Sequence, residues 1–395
     1  MGWRPDRLIA TARDPLPRRC AADSLKAAIS RRTFALTLRL AFPLLLLAGC
    51  ATQPLAVTTL VAAPAIADAE TEDLRLNAFL DAAFDETTAL SPENQTALGL
   101  KTNYGKLDDY TDAANVRRMA LTERQLAELR AQFTPARLGP QARLSYRLFE
   151  IQVERARRQF PFRAYSFPVS TNGSPAGSIP VFLINQHRVD NVADARAYIA
   201  RIVETDRVMR EVAATMRDQA ARGIVPPKMV FKPAREDAAK VISGAPFTAG
   251  NDSTLLADFK KKVAALPATP GEKAALMVDA EAALAGPFRR GFTTLFAALD
   301  EIEPKATGNN GAWSLPNGAA FYDVRLAQNT TTDLTANQVH RIGLQQVASI
   351  RAEMELVKAR IGHTGSLESF FDSVRTNPAF KFPNNAAGRE QYLAA

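Results

Sequence analysis

Between Asp190 and Arg222 the apolar residues Ala195, Tyr198, Ile199, Ile202, Met209, Val212, Ala213 and Met216 recur at steps of three and four. That spacing lines one face of a long amphipathic helix, and Gly223 with the Pro226-Pro227 pair stops it. A helix with so long an apolar stripe needs partners of its own kind. Comparable patterns run over roughly 72–90, 114–132, 139–158, 235–243, 253–265, 271–303 and 335–361, with Pro287 expected to kink or split the segment 271–303. Hydrophobic residues make up 47% of the 395 and charged ones 23%, enough to close a core. The expected fold is mainly α, a multi-helix bundle of long amphipathic helices with a few short strands or extended loops. The strand candidates are SIPVFLI at 178–184 and KMVFK at 228–232, which read either as strands or as extended loop segments. Arg163 to Pro180 holds Asn172-Gly173, Ser174-Pro175 and Gly177, and reads as a loop of functional length.

The net charge of +8 is concentrated at one end, since residues 1–49 hold nine basic side chains against three acidic ones. The apolar run at 40–49 is too short for a bilayer, which takes roughly 20 residues, and reads as the core of a signal peptide. Ahead of it Ser30-Arg31-Arg32-Thr33-Phe34-Ala35-Leu36 resembles a twin-arginine export signal, with Arg31 and Arg32 as its pair. A general secretory signal with two arginines in its basic region is the other reading. Leu47-Ala48-Gly49-Cys50 resembles a bacterial lipobox, which makes Cys50 the lipidation site and the first residue of the mature chain. The expected organisation is a signal peptide over 1–49, a flexible Ala-, Thr- and Pro-rich tether over 50–70, and a helical domain over 71–395. Ala51 rather than Asp after the cysteine resembles lipoproteins of the outer membrane. The expected location is therefore the periplasmic side of a membrane, on a lipid anchor. The small positive balance left for the remainder gives no footprint for nucleic acid.

Histidine is the first place to look for acid–base or metal chemistry. The three are His187, His340 and His363, and none belongs to a His-Glu-x-x-His pair. No Gly-x-Ser-x-Gly elbow and no phosphate-binding glycine loop occurs. The reading is that this chain contains neither catalytic residues nor metal ligands, and needs no cofactor. The strongest local signal lies at 321–354. Thr335-Ala336-Asn337-Gln338 forms a capping box, and Val339, Ile342, Val347, Ile350 and Met354 are expected to give the helix behind it a buried face. One reading aims Tyr322, Arg325, Thr331 and His340 into a cleft. The plainer one is a capped core helix whose histidine bonds a carbonyl of a neighbouring segment.

Asn329-Thr330-Thr331-Thr332-Asp333-Leu334-Thr335, with Val339-His340-Arg341-Ile342-Gly343-Leu344 and Arg351-Ala352-Glu353-Met354, is similar to a hallmark stretch of the bacterial domain of unknown function 885 family. So are Ile179-Pro180-Val181-Phe182-Leu183 with His187-Arg188-Val189-Asp190, Phe370-Phe371 with Arg375-Thr376-Asn377-Pro378-Ala379-Phe380, and Leu90-Ser91-Pro92 with Leu98-Gly99-Leu100. Gln338 and Gln346 stand where the family often has Glu. The family resembles helical zinc metallopeptidases, and its members are typically exported, often as lipoproteins, and presumed to act on peptides. The resemblance implies that the His-Glu-x-x-His helix falls after the stretch matched here, so zinc is expected only in a full-length relative. Two functions remain open. The chain is either the N-terminal helical portion of an exported, lipid-anchored, metallopeptidase-like protein, catalytically incomplete alone and truncated before the metal-binding region, or a non-enzymatic periplasmic lipoprotein. The second would bind peptides or a partner protein through the aromatic loops around Tyr165 and Tyr322.

Overall fold

Helices account for nearly all of the regular structure in the computed structural model, which describes residues 63–395. The expectations for Arg31, Arg32, Cys50 and the signal-peptide boundary lie outside those residues. In chain order the helices are α1 (Ala63–Ala89), α2 (Pro92–Ala97), α3 (Asp112–Gln132), α4 (Pro140–Gln159), α5 (Pro175–Asn185), α6 (Val192–Ala221) and α7 (Phe231–Val241). They continue with α8 (Thr254–Ala264), α9 (Pro270–Ala283), α10 (Arg289–Ile302), α11 (Gly318–Thr330), α12 (Ala336–Arg360), α13 (Leu367–Thr376) and α14 (Ala386–Ala394). α1 overlaps residues 63–70 of the segment read as tether. Among the described residues there is no strand, only the isolated bridges Ser170 to Gly173 and Ala245 to Asp252.

α6 is the axis of the molecule. Ala195, Tyr198, Ile202, Met209, Val212, Ala213 and Met216 of its apolar stripe are buried, each large side chain contributing about 1.5–3 kcal/mol by leaving water. Its N-terminus is fixed by Asn191, whose side chain accepts from the Asp194 backbone N–H at 2.9 Å. α10 packs closely along it at Gly291, where an added Cβ would stand 3.0 Å from Asp206 Cα and 3.2 Å from the Thr205 carbonyl oxygen. Arg290 closes the same crossing with a 2.9 Å bond from Nη2 to Asp206. Around α6 and α10, helices α5, α7, α8 and α9 complete the main core, with Phe231, Phe259, Phe288 and Phe292 fully buried. A smaller core joins α1, α3 and α4 through Leu76, Leu126, Leu129, Phe133, Tyr146 and Val153.

Pro287 does divide its segment. A π-helical turn over Leu284–Phe288 separates α9 from α10, because proline donates no N–H and its ring crowds the carbonyl four residues back, which a wider turn relieves.

Neither strand candidate is a strand. SIPVFLI lies inside α5, where Ala176, Ile179, Pro180 and Leu183 are buried at steps of three, one and three. The short apolar run concealed that helical stripe. Lys228–Val230 is a 3-10 turn and Phe231 opens α7, with Val230 and Phe231 drawn into the main core. The loop read over 163–180 is shorter, because a 3-10 turn occupies Phe160–Tyr165 and Pro175 already opens α5. The capping box of α12 is present, with Gln338 N–H donating to Thr335 Oγ1 at 3.3 Å and Thr335 N–H to Gln338 Oε1 at 2.8 Å. The buried face expected behind it is absent. No residue of α12 is buried, and Val347 and Ile350 are 54% and 45% exposed, because α13 is its main neighbour among the described helices.

Candidate functional site

Helix α11 begins after Asn317, which takes a left-handed backbone conformation at φ 52°. The following Gly318 sits where a Cβ would collide with the Ala312 carbonyl oxygen at 1.9 Å, so only glycine fits that start. On α11 the residues Phe321, Val324, Arg325 and Gln328 fall at i, i+3, i+4 and i+7, the spacing of one helical face. Phe321 meets the 3-10 turn at Phe160–Tyr165. Its ring centroid lies 5.9 Å from Phe162 and 5.0 Å from Tyr165, the latter edge to face, a geometry aromatic quadrupoles favour. The Tyr165 hydroxyl also donates to the Pro316 carbonyl.

Three adjoining cavities lie around this contact. The middle one, about 340 Å³, lies between α3, α4, the 3-10 turn and α11. Its floor is Met119, Phe160, Phe162, Phe321 and Val324. A second, about 420 Å³, shares Asn115, Arg118, Arg163 and Ser166 with it and extends to Val212 and Arg222 around α6. A third, about 310 Å³, shares Gln159 and Val324 and runs along α11 to Asp333. Shared walls make them one trough.

The middle cavity is lined by three guanidinium groups, those of Arg118, Arg163 and Arg325, and by no carboxylate. Arg163 is engaged. Its Nε and Nη2 donate to Asp112 at 2.7 and 3.0 Å, a bidentate pair that holds the Asp112 carboxyl below its ordinary pKa range. Arg118 bonds only the Asn115 side-chain oxygen at 3.1 Å, and Arg325 only that of Gln328 at 2.9 Å. Neither has an acidic partner among the described residues. An aromatic floor beside two guanidiniums without counter-charges suits a ligand that is apolar and anionic within a short span.

Of the residues singled out from the sequence, Arg325 lines the middle cavity and Thr331 the third. Tyr322 and His340 line none of the three. Tyr322 is 48% exposed, since one helical step turns it away from the face that Phe321 presents. His340 is exposed on α12 and its imidazole makes no hydrogen bond among the described residues, so the plainer reading, of a histidine bonded to a neighbouring carbonyl, is also not met. Arg118, Phe162 and Phe321 were not singled out as lining. The i, i+3, i+4, i+7 spacing of Phe321, Val324, Arg325 and Gln328 is the signal in the sequence for that lining face.

The remaining histidines are structural. His187 is 1% exposed, with Nε2 donating to the Asp194 carbonyl at 3.1 Å and Nδ1 accepting from Arg201 Nη1 at 2.9 Å. Burial, reinforced by the Arg201 charge, pushes its pKa down to about 3. His363 Nε2 lies 2.9 Å from Ser369 Oγ. The serine hydroxyl donates to the Ser366 carbonyl at 2.9 Å, so the ring nitrogen is the donor and does not activate that oxygen. Among the described residues no group of three or more His, Cys, Asp or Glu is placed to hold a metal ion.

The sequence matches the family model described as a bacterial protein of unknown function (DUF885) over residues 92–395. The chain belongs to this family. DUF885 membership covers every helix from α2 onward, including those that form the trough. No curated protein is detectably similar to the chain. A crystal structure described as "the putative lipoprotein from Colwellia psychrerythraea" superposes with a TM-score of 0.67 at 18% identity, covering 82% of this chain and 57% of that one. At that identity the likeness is one of fold. The chain thus spans little more than half the length of that structural neighbour.

Proposed function

We infer that this DUF885 protein is exported, lipid-anchored through Cys50 on the periplasmic side of the outer membrane, and that its helical domain forms a peptide-binding wall. The observation that carries the reading is the middle cavity of the trough, with its aromatic floor and two guanidiniums lacking acidic partners. A peptide brings apolar side chains and charged groups within a short span, which an apolar floor with a cationic rim can use together. The lipobox-like Leu47-Ala48-Gly49-Cys50 supports the anchor, as does the lipoprotein description of the Colwellia structure. In this reading the chain corresponds to the N-terminal helical portion of a metallopeptidase-like protein and is catalytically incomplete alone. It binds and positions, and any hydrolytic centre is contributed by residues outside it.

Two measurements test this. Cells expressing the full chain should hold it in the membrane fraction and label it with radioactive fatty acid, whereas Cys50→Ala should lose the label. Short N-acetylated peptides should be retained by the purified chain in equilibrium dialysis. An unlabelled wild-type chain removes the anchor, and the absence of retention removes the peptide-binding role.

A further inference from the structure

The middle cavity is at the small end of ligand sites, which run from about 300 to 1,000 Å³; its 340 Å³ accommodates one residue of a peptide and little more. Within that space it presents apolar rings and two guanidiniums without acidic partners. An internal Asp or Glu supplies an anion but no apolar group to cover Phe160, Phe162 and Phe321. An internal apolar residue covers the rings but leaves Arg118 and Arg325 without a counter-charge. A C-terminal apolar residue carries both features. We propose that this cavity takes the C-terminal residue of a peptide, seating its apolar side chain on the Phe160, Phe162 and Phe321 rings and its free carboxylate at Arg118 and Arg325. The preceding residues leave through the adjoining parts of the trough. The inference rests on the peptide-binding reading and adds the end of the peptide that is recognised.

Arg163 takes no part in holding the carboxylate, because its Nε and Nη2 donate to Asp112 and its Nη1 to the Phe160 carbonyl at 3.2 Å. Its guanidinium also lies 4.3 Å from the Phe160 ring centroid, which fixes that ring as part of the floor. Arg118 and Arg325 each keep donors available, since each spends only one on a neutral amide oxygen of its own helix.

Fluorescence anisotropy on the purified full chain, with Ala-Ala-Phe labelled by a dye at its N-terminus, tests the proposal. The free acid should bind at least about tenfold more tightly than the C-terminal amide, as expected for a charge-assisted bond. Arg118→Gln and Arg325→Gln should each weaken the acid about tenfold and leave the amide unchanged. Raised salt should narrow the gap between acid and amide. Melting curves of both variants should match wild type, as neither side chain is in the core. Equal affinity for acid and amide overturns the carboxylate assignment while leaving peptide binding in place. Binding of neither overturns both.

Discussion

Arg201 Nη1 donates to His187 Nδ1 at 2.9 Å, and both side chains are almost completely removed from solvent. The guanidinium spends its other donors on the Lys106 carbonyl, the Pro92 carbonyl and Thr96 Oγ1 at 2.9, 3.1 and 2.6 Å. Tyr104 and Phe182 lie 5.1 and 4.9 Å from it. One buried cation therefore ties α6 to α2, to the 98–111 connection and to the end of α5. Removing an acceptor leaves a charged donor buried without a partner, which costs more than a neutral bond is worth. His187→Ala should lower stability by about 3 kcal/mol, read from the urea midpoint. A loss under about 0.5 kcal/mol would mean that water replaces the ring.

The same pair sets a pH dependence. His187 stays neutral in the folded chain down to about pH 3, whereas its ordinary value is 6.5. Between those values the unfolded chain binds a proton that the folded chain does not, so stability falls as pH drops from about 6.5 toward 3 and the contribution is fully present above 6.5. Each pH unit in that window removes about 1.4 kcal/mol. Urea midpoints at pH 7 and pH 4.5 should converge for His187→Ala once other groups are matched. An unchanged slope in the variant would assign the acid sensitivity elsewhere.

Thr331 ends α11 in the left-handed region at φ 55°, where a β-branched residue is strained by about 1–2 kcal/mol. It also lines the third cavity. Thr331→Asn, which tolerates that conformation, should raise stability by about 1 kcal/mol in calorimetric melting. A neutral or negative change would show that the threonine side chain contributes contacts outweighing the strain.

Val347, Ile350, Met354 and Val357 share a stripe of α12 and stand uncovered among the described residues. Contiguous apolar surface of this kind associates. Sedimentation should show concentration-dependent self-association of the purified chain, reduced in a Val347→Lys, Ile350→Lys double variant. A wild-type chain that stays a monomer across the range would contradict this.

The sequence carried the helical architecture well wherever one apolar stripe met a capping signal. α3, α4, α6, α8 and α12 begin within two residues of the segments read from periodicity, and Pro287 falls in the turn between α9 and α10. Legibility failed where the stripe was short. Ile179, Pro180 and Leu183 are helical because the main core buries them, and four to seven apolar residues in a row do not separate that outcome from a strand. For the trough, Arg325 and Thr331 were visible as polar residues near Tyr322. Arg118 and Phe162 come from segments more than about 150 residues away in the chain. Only tertiary packing brings them to α11.

The central claim is that the trough is where this protein binds peptides, and hydrogen exchange with and without N-acetyl-Ala-Ala-Phe tests it most directly. Protection should rise in residues 115–122, 159–166 and 318–328, the stretches of α3, of α4 with the following turn and of α11 that line the middle cavity, and should be lost in Arg118→Gln with Arg325→Gln. Protection confined to α12, or no change in any of the three stretches at saturating peptide, would contradict the account.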